Sequence, residues 1–177
     1  MRASNRATKM ALGLSALALA CGPVTRPDGG VGLLPVGAEA PDLVGTASDG
    51  TATRLSEVRG HPAVVYFYPK DGTPGCTKEA CAFRDAFDAY EAKHVVIFGV
   101  SRDSEARHAS FRATHRLPFP LVSDTDGAVA RAFGVSSTLG MASRVTFLIG
   151  ADGRVRHVWP DVDPGVHADQ VLAAVGE

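Results

Sequence analysis

Tyr66-Phe-Tyr-Pro-Lys-Asp-Gly-Thr-Pro-Gly-Cys-Thr-Lys-Glu-Ala-Cys81 decides how this chain is read. An apolar strand runs into a loop of Pro and Gly, and two cysteines, Cys76 and Cys81, flank the start of a helix. A thiolate, not a thiol, is the nucleophile, and the free N–H groups and dipole at a helix N-terminus favour the thiolate. A second cysteine nearby gives the first, once oxidised, a partner to condense with. The stretch reads as a thiol that is oxidised and recycled.

The spacing makes a mechanical demand. Five residues along a helix rotate the second cysteine by about 140° from the first and displace it by about 7.5 Å. The two sulfurs then point apart, and the Cα atoms lie beyond the roughly 6.8 Å that a disulfide tolerates. A bond between Cys76 and Cys81 therefore requires at least the first turn of the helix to unwind. A permanent structural disulfide is disfavoured on the same ground. A zinc or copper site is disfavoured too, because the spacing is neither Cys-x-x-Cys nor followed by a His-x-x-x-His partner. The histidines at 61, 94, 108, 115, 157 and 167 are scattered and suit surface or hydrogen-bonded roles.

Outward from this stretch, the hydrophobic pattern alternates between strands and helices. Asp42–Ser48 and Thr51–Leu55 flank Asp49-Gly50 as a hairpin. Ala63–Tyr68 is a continuous apolar run of the kind found in a central strand. Thr77–Lys93 reads as one helix, with Ala80, Phe83, Phe87 and Tyr90 on its core face in phase with Cys76. Val95–Val100, Pro120–Ser123, Arg144–Ile149 and Val155–Trp159 read as strands. Ser104–His115, Asp126–Phe133 and Ala168–Val175 read as helices. Asp124-Thr-Asp126-Gly127 reads as a helix start with an aspartate cap. The order implies an α/β domain over 38–177: a mixed central sheet, helices on both faces and an extra N-terminal β-hairpin, similar to the thioredoxin-like fold.

The 177 residues carry a formal charge of −1, with 45% hydrophobic and 21% charged residues. No basic stripe points to nucleic acid. Arg2, Arg6 and Lys9 precede an 11-residue apolar run, Met10–Ala20. That is too short to span a bilayer, which takes about 20 residues, and it reads as a secretory signal over 1–20. It ends in Ala18-Leu-Ala-Cys21-Gly, which resembles the lipobox of bacterial lipoproteins, with Cys21 lipidated as the new N-terminus. Residues 22–37, rich in Gly and Pro, read as a flexible tether. With Cys21 set aside, the remaining cysteines form a pair.

Pro69-x-x-x-Thr73-x-x-Cys76 resembles the active-site motif of peroxiredoxins. The run Tyr66–Asp85, with Phe83-Arg84-Asp85, looks like the bacterioferritin comigratory or Q-type subclass. Gly37-x-x-Ala40-Pro41-Asp42 and Ser143-Arg144-Val145-Thr146-Phe147-Leu148-Ile149 fit the same family, and the resemblance spans about residues 36–176. It implies a thiol-dependent peroxidase for hydrogen peroxide and organic hydroperoxides, with Cys76 the peroxidatic and Cys81 the intramolecular resolving cysteine. Thr73 would exchange hydrogen bonds with thiol, peroxide or oxyanion, and Arg144 would supply fixed positive charge and donors. Pro69 would shape the pocket, and the backbone N–H groups around Gly75 and Cys76 would complete it. Recycling would come from a thioredoxin-like reductant, with no cofactor, in a monomer held on the extracytoplasmic face of the bacterial envelope through Cys21.

Two other readings use the same fold. A thioredoxin-like thiol–disulfide oxidoreductase would carry Cys-x-x-Cys and a Pro before the later strand, where this chain has Ser143. A copper-carrying or redox-sensing module would want closer cysteines and a positioned histidine.

Overall fold

The computed structural model describes residues 23–48 and 50–176. The signal expected over 1–20 and the lipidation expected at Cys21 lie outside them. The elements run β1 (Val44–Thr46), β2 (Ala52–Arg54), β3 (Ala63–Phe67), α1 (Pro74–Asp85), α2 (Phe87–Ala92), β4 (Val96–Ser101) and α3 (Glu105–His115). They continue with β5 (Leu121–Ser123), α4 (Ala128–Ala132), β6 (Ser137–Thr138), β7 (Met141–Ala142), β8 (Val145–Ile149), β9 (Val155–Trp159) and α5 (His167–Ala174).

All five residues of β3 are buried, because β3 is the middle strand of a five-stranded sheet ordered β5-β4-β3-β8-β9. β3, β4 and β5 run parallel, while β8 is antiparallel to β3 and β9 antiparallel to β8. Alternate side chains of β3 feed two cores. Val65 and Phe67 join Leu34, Leu43, Phe133 and Phe147 on one face. Val64 and Tyr66 join Cys76, Phe83, Phe111 and Val171 on the other. Thus α1, α3 and α5 cover one face of the sheet and α4 the opposite one. This is the thioredoxin-like α/β fold. Gly99 of β4 lies opposite Tyr66 in register, and any Cβ there would stand 2.6 Å from the Tyr66 hydroxyl. The close approach of the ring is what requires glycine.

The N-terminal hairpin is present as β1 paired with β2, and Ala47 bridges it to Val122 at the β5 edge of the sheet. The N-cap of α4 is Gly127 and not the expected aspartate, but Asp124 serves the first turn from outside the helix, its two carboxylate oxygens accepting from the Val129 and Ala130 N–H groups at 2.9 Å.

Three features depart from the expected pattern. The single helix over Thr77–Lys93 is two helices, broken at Ala86 (φ −92°, ψ 2°). The break turns Phe87 toward Phe119 while Tyr90 keeps its hydroxyl on the Ala168 carbonyl at 2.5 Å. A small hairpin, β6–β7, precedes β8. Finally, the segment expected to be a flexible tether is docked over 23–37. Leu34 is buried in the core, its N–H donates to the Phe133 carbonyl, and the Gly37 N–H donates to the Val155 carbonyl. Arg26 reaches across this segment to the carbonyls of Gly32 and Leu33. The chain passes so close to Gly134 that a Cβ there would overlap the Gly32 carbonyl. Gly and Pro here shape a packed strap, not a loose linker.

Candidate active site

The site forms where β3 ends and α1 begins. Pro69 stands half-buried where strand gives way to loop, and Thr73 is the N-cap residue of α1 with Pro74 at its first turn. A proline there costs nothing, since the first N–H groups of a helix have no intrahelical acceptor. Cys76 is the third helical residue and is 1% exposed.

Arg144, at the foot of β8, closes over this helix end. Its Nη2 donates to the Cys76 sulfur at 3.2 Å, and its Nη1 is ion-paired with Glu79 Oε2. The guanidinium is thus placed where negative charge on the sulfur would be met. Glu79 is fully buried, and its other oxygen, Oε1, has no partner. Burial pushes the Glu79 carboxyl up to about 7, against the pull of Arg144. Burial works to lower Arg144, yet Glu79 and the Cys76 sulfur hold it above its ordinary range. One carboxylate beneath the fork fixes the guanidinium and leaves its second edge for the sulfur.

The Thr73 hydroxyl donates to the Lys70 carbonyl at 3.1 Å. Its hydrogen is committed in this state, so its lone pairs are what it offers to an O–H or S–H in the pocket. The structure therefore brings Cys76, Thr73 and Arg144 to one helix end. Gly75 lies under the arginine, where a Cβ would come within 3.3 Å of Arg144 Nη2.

Cys81 sits on the same helix, half-buried, and both cysteines are free. Its sulfur faces His115 Nδ1 of α3 at 3.9 Å, away from the Arg144 site. The two thiols belong to different surroundings on one continuous helix, as the spacing requires. Arg84 anchors this half of α1 by donating to the His115 carbonyl at 2.9 Å.

Sequence reasoning missed a buried network that grips the loop before α1. Asp71 accepts from the Tyr68 hydroxyl at 2.7 Å and pairs with His108 Nδ1 at 2.8 Å. His108 Nε2 faces the Val122 carbonyl at 3.2 Å. The Asp71 N–H donates to Asp103, which also accepts from Ser101 and pairs with Arg107. The signal for Glu79 was legible, since an acid three residues after Cys76 falls on the apolar face of α1 beside Ala80. His108 sits likewise one turn before buried Phe111. Behind the site, burial lowers His167 to about 4, so its ring is neutral, with Nε2 at 2.8 Å from the Thr146 hydroxyl. Among the described residues, no group of three or more His, Cys, Asp or Glu side chains is placed to hold a metal ion.

Residues 36–158 match the AhpC/TSA family. The chain is 40% identical over 145 residues to the peroxiredoxin Bcp of Bacillus subtilis, covering 77% of this chain and 92% of that protein. Its fold is similar to the crystal structure of peroxidoxin BcpB from Mycobacterium tuberculosis, with a TM-score of 0.75 and 37% identity over 80% of this chain and 96% of that one. It is also similar to the Xanthomonas campestris bacterioferritin comigratory protein, whose trapped intermediate and ligand complexes concern alkyl peroxide reduction. There the TM-score is 0.72 and the identity 41%, over 81% of this chain and 96% of that one.

Proposed function

This chain belongs to the AhpC/TSA family as a peroxiredoxin of the Bcp/Q type, and from that premise we propose that Cys76 is its peroxidatic cysteine and Cys81 its resolving cysteine. The protein is a thiol-dependent peroxidase. The observation that carries the assignment is the Arg144 donor on the Cys76 sulfur at the N-terminus of α1.

The Cys76 thiolate attacks one oxygen of a hydroperoxide, and negative charge grows on the oxygen that leaves. Arg144 and the N–H groups of the first turn of α1 meet that charge, in a site nearly closed to water. Thr73 accepts the O–H of the peroxide and so points its O–O bond at the sulfur. Glu79 acts through Arg144 as a positioning residue. The product is a Cys76 sulfenic acid and water or an alcohol. After the first turn of α1 unwinds, Cys81 condenses with it to a disulfide. A thioredoxin-like dithiol then reduces that disulfide by exchange. Hydrogen peroxide and alkyl hydroperoxides are the proposed substrates; the activity of the Xanthomonas relative supports the second.

The test is mass spectrometry of the reduced protein after one equivalent of hydrogen peroxide without metal. The expected result is a loss of two hydrogens mapping to a Cys76–Cys81 disulfide within seconds. Two thiols still free after minutes would remove the reading.

The proposed location is the extracytoplasmic face of a bacterial envelope, through lipid at Cys21. The short apolar run, the small residues before Cys21 and the pairing of the remaining cysteines support it. Among the described residues, no helix is long and apolar enough to cross a membrane. Cys21→Ser should release soluble protein or block processing; membrane retention unchanged by that substitution would refute the anchor. A monomer is proposed because resolution within one chain needs no partner, and sedimentation would decide it.

A further inference from the structure

Resolution needs a thiolate at Cys81, so a group must take its proton. The neighbour of Cys81 is His115, with Nδ1 3.9 Å from the sulfur, a separation suited to an S–H donor and a ring nitrogen. His115 is held from three sides. It is the last residue of α3, followed by Arg116 in a left-handed turn (φ 53°). Arg84 grips its carbonyl, and the Phe111 ring packs edge-on against its ring with centroids 4.8 Å apart. An open groove of about 300 Å³ joins its ring to the active-site loop at Asp71 and Gly72.

Resting on the reading of Cys81 as the resolving thiol, we propose that His115 is the general base of the resolving step, a catalytic residue for the second half of the cycle. The Cys81 S–H proton passes to His115 Nδ1. The thiolate lone pair then forms the S–S bond to Cys76 while the S–O bond of the sulfenic acid breaks. The leaving hydroxide takes the proton from His115 and departs as water through the groove. Cys81 is oxidised and the Cys76 sulfur reduced, so no further oxidant or reductant enters. Because Arg84 ties the Cys81 half of α1 to α3, it is Cys76 that travels.

The charged groups facing His115 agree in sign with this role. Arg84 presents its guanidinium from α1; Asp85 first, and the Cys81 sulfur after it, hold that guanidinium above its ordinary range. A cation there favours the thiolate and disfavours a lasting charge on the ring, so the proton is handed on. Asp71 and Arg107 line the same groove, each already paired, with His108 and Asp103.

The test is rapid-quench mass spectrometry of the full chain after one equivalent of hydrogen peroxide. It follows Cys76 sulfenic acid and the disulfide separately across pH. The wild type should show a resolution rate that falls toward acid pH, as a base that must be unprotonated requires. In His115→Ala the ratio of resolution to oxidation should drop about tenfold, less than the roughly 10²–10⁴ of positioned acid–base groups because solvent bases compete. That acid limb should vanish, and added imidazole should restore the rate. Resolution at the wild-type ratio, or a slow rate that imidazole leaves unchanged, would overturn the proposal while the peroxidase assignment stands. Failure of Cys76 to oxidise in the wild type would overturn both.

Discussion

The two ends of α1 carry the same side chain in opposite settings. At the N-terminal end Cys76 is sealed, with a guanidinium on its sulfur and Pro74 and Gly75 beginning the helix. At the other end Cys81 is half-exposed, beside a histidine, on a turn pinned to α3 by Arg84. Residues before Cys76 start a helix easily and hold it weakly; those after Cys81 hold it firmly. In the proposed cycle this difference divides labour along one helix: the charged, sealed end would perform the attack and then melt, and the pinned end would wait.

The harshest way to break the comparison is to remove the sealed thiol. Cys76→Ser should abolish peroxide consumption in a coupled reductase assay, and substantial turnover would shift the chemistry elsewhere. Next comes the cation. Arg144→Ala should lower the second-order rate with peroxide by about 10²–10³, as for loss of one transition-state donor. It also strands Glu79, so a stopped-flow rate should be read beside a denaturation curve. A rate within a few-fold of wild type would mean the helix N-terminus suffices.

Removing the waiting thiol affects a different phase. Cys81→Ser should allow one oxidation at Cys76 and then stall with a thioredoxin donor, visible as a burst without steady turnover. Sustained turnover would place resolution outside this helix.

The smallest effect sharpens the buried side. Glu79 has its carboxyl raised to about 7, so its stabilising contribution is full below its unfolded value and fades as pH rises through 7. His167 is lowered to about 4, so its contribution is present above its unfolded value and fades as pH falls through 4. Between those limits the two slopes oppose each other. Glu79→Gln should unmask the histidine, giving a protein that loses stability as pH falls from 6.5 to 4, by at most about 1.4 kcal/mol per pH unit. Urea midpoints across that range would show it; a curve parallel to wild type would contradict the raised carboxyl.

Much of this was legible because it rests on local rules. The run Ala63–Phe67 announced a central strand, Asp49-Gly50 a hairpin, and the five-residue cysteine spacing two sulfurs that cannot meet in an intact helix. What escaped notice depends on residues far apart in the chain. Ala86 breaks a helix that periodicity would continue, because Phe87 and Tyr90 answer to Phe119 and Ala168. Asp71 and His108 are 37 positions apart and become a pair only once β3 and α3 pack. His115 was one of six scattered histidines until α3 was laid against α1. The strap was misread because Gly and Pro are ambiguous between looseness and tight turning, and what docks it is the burial of Leu34 together with the bonds of Leu34 and Gly37 to Phe133 and Val155.

That strap sets how the domain would sit on a surface. It docks against Phe133 and Val155, on the opposite side of the sheet from α1. Between Cys21 and Pro23 there are only two residue steps, at most about 7 Å of reach. A lipid at Cys21 would therefore moor the domain by its back, with no slack to swing. The bilayer would face α4, and the mouth over Cys76 would look outward to whatever diffuses past.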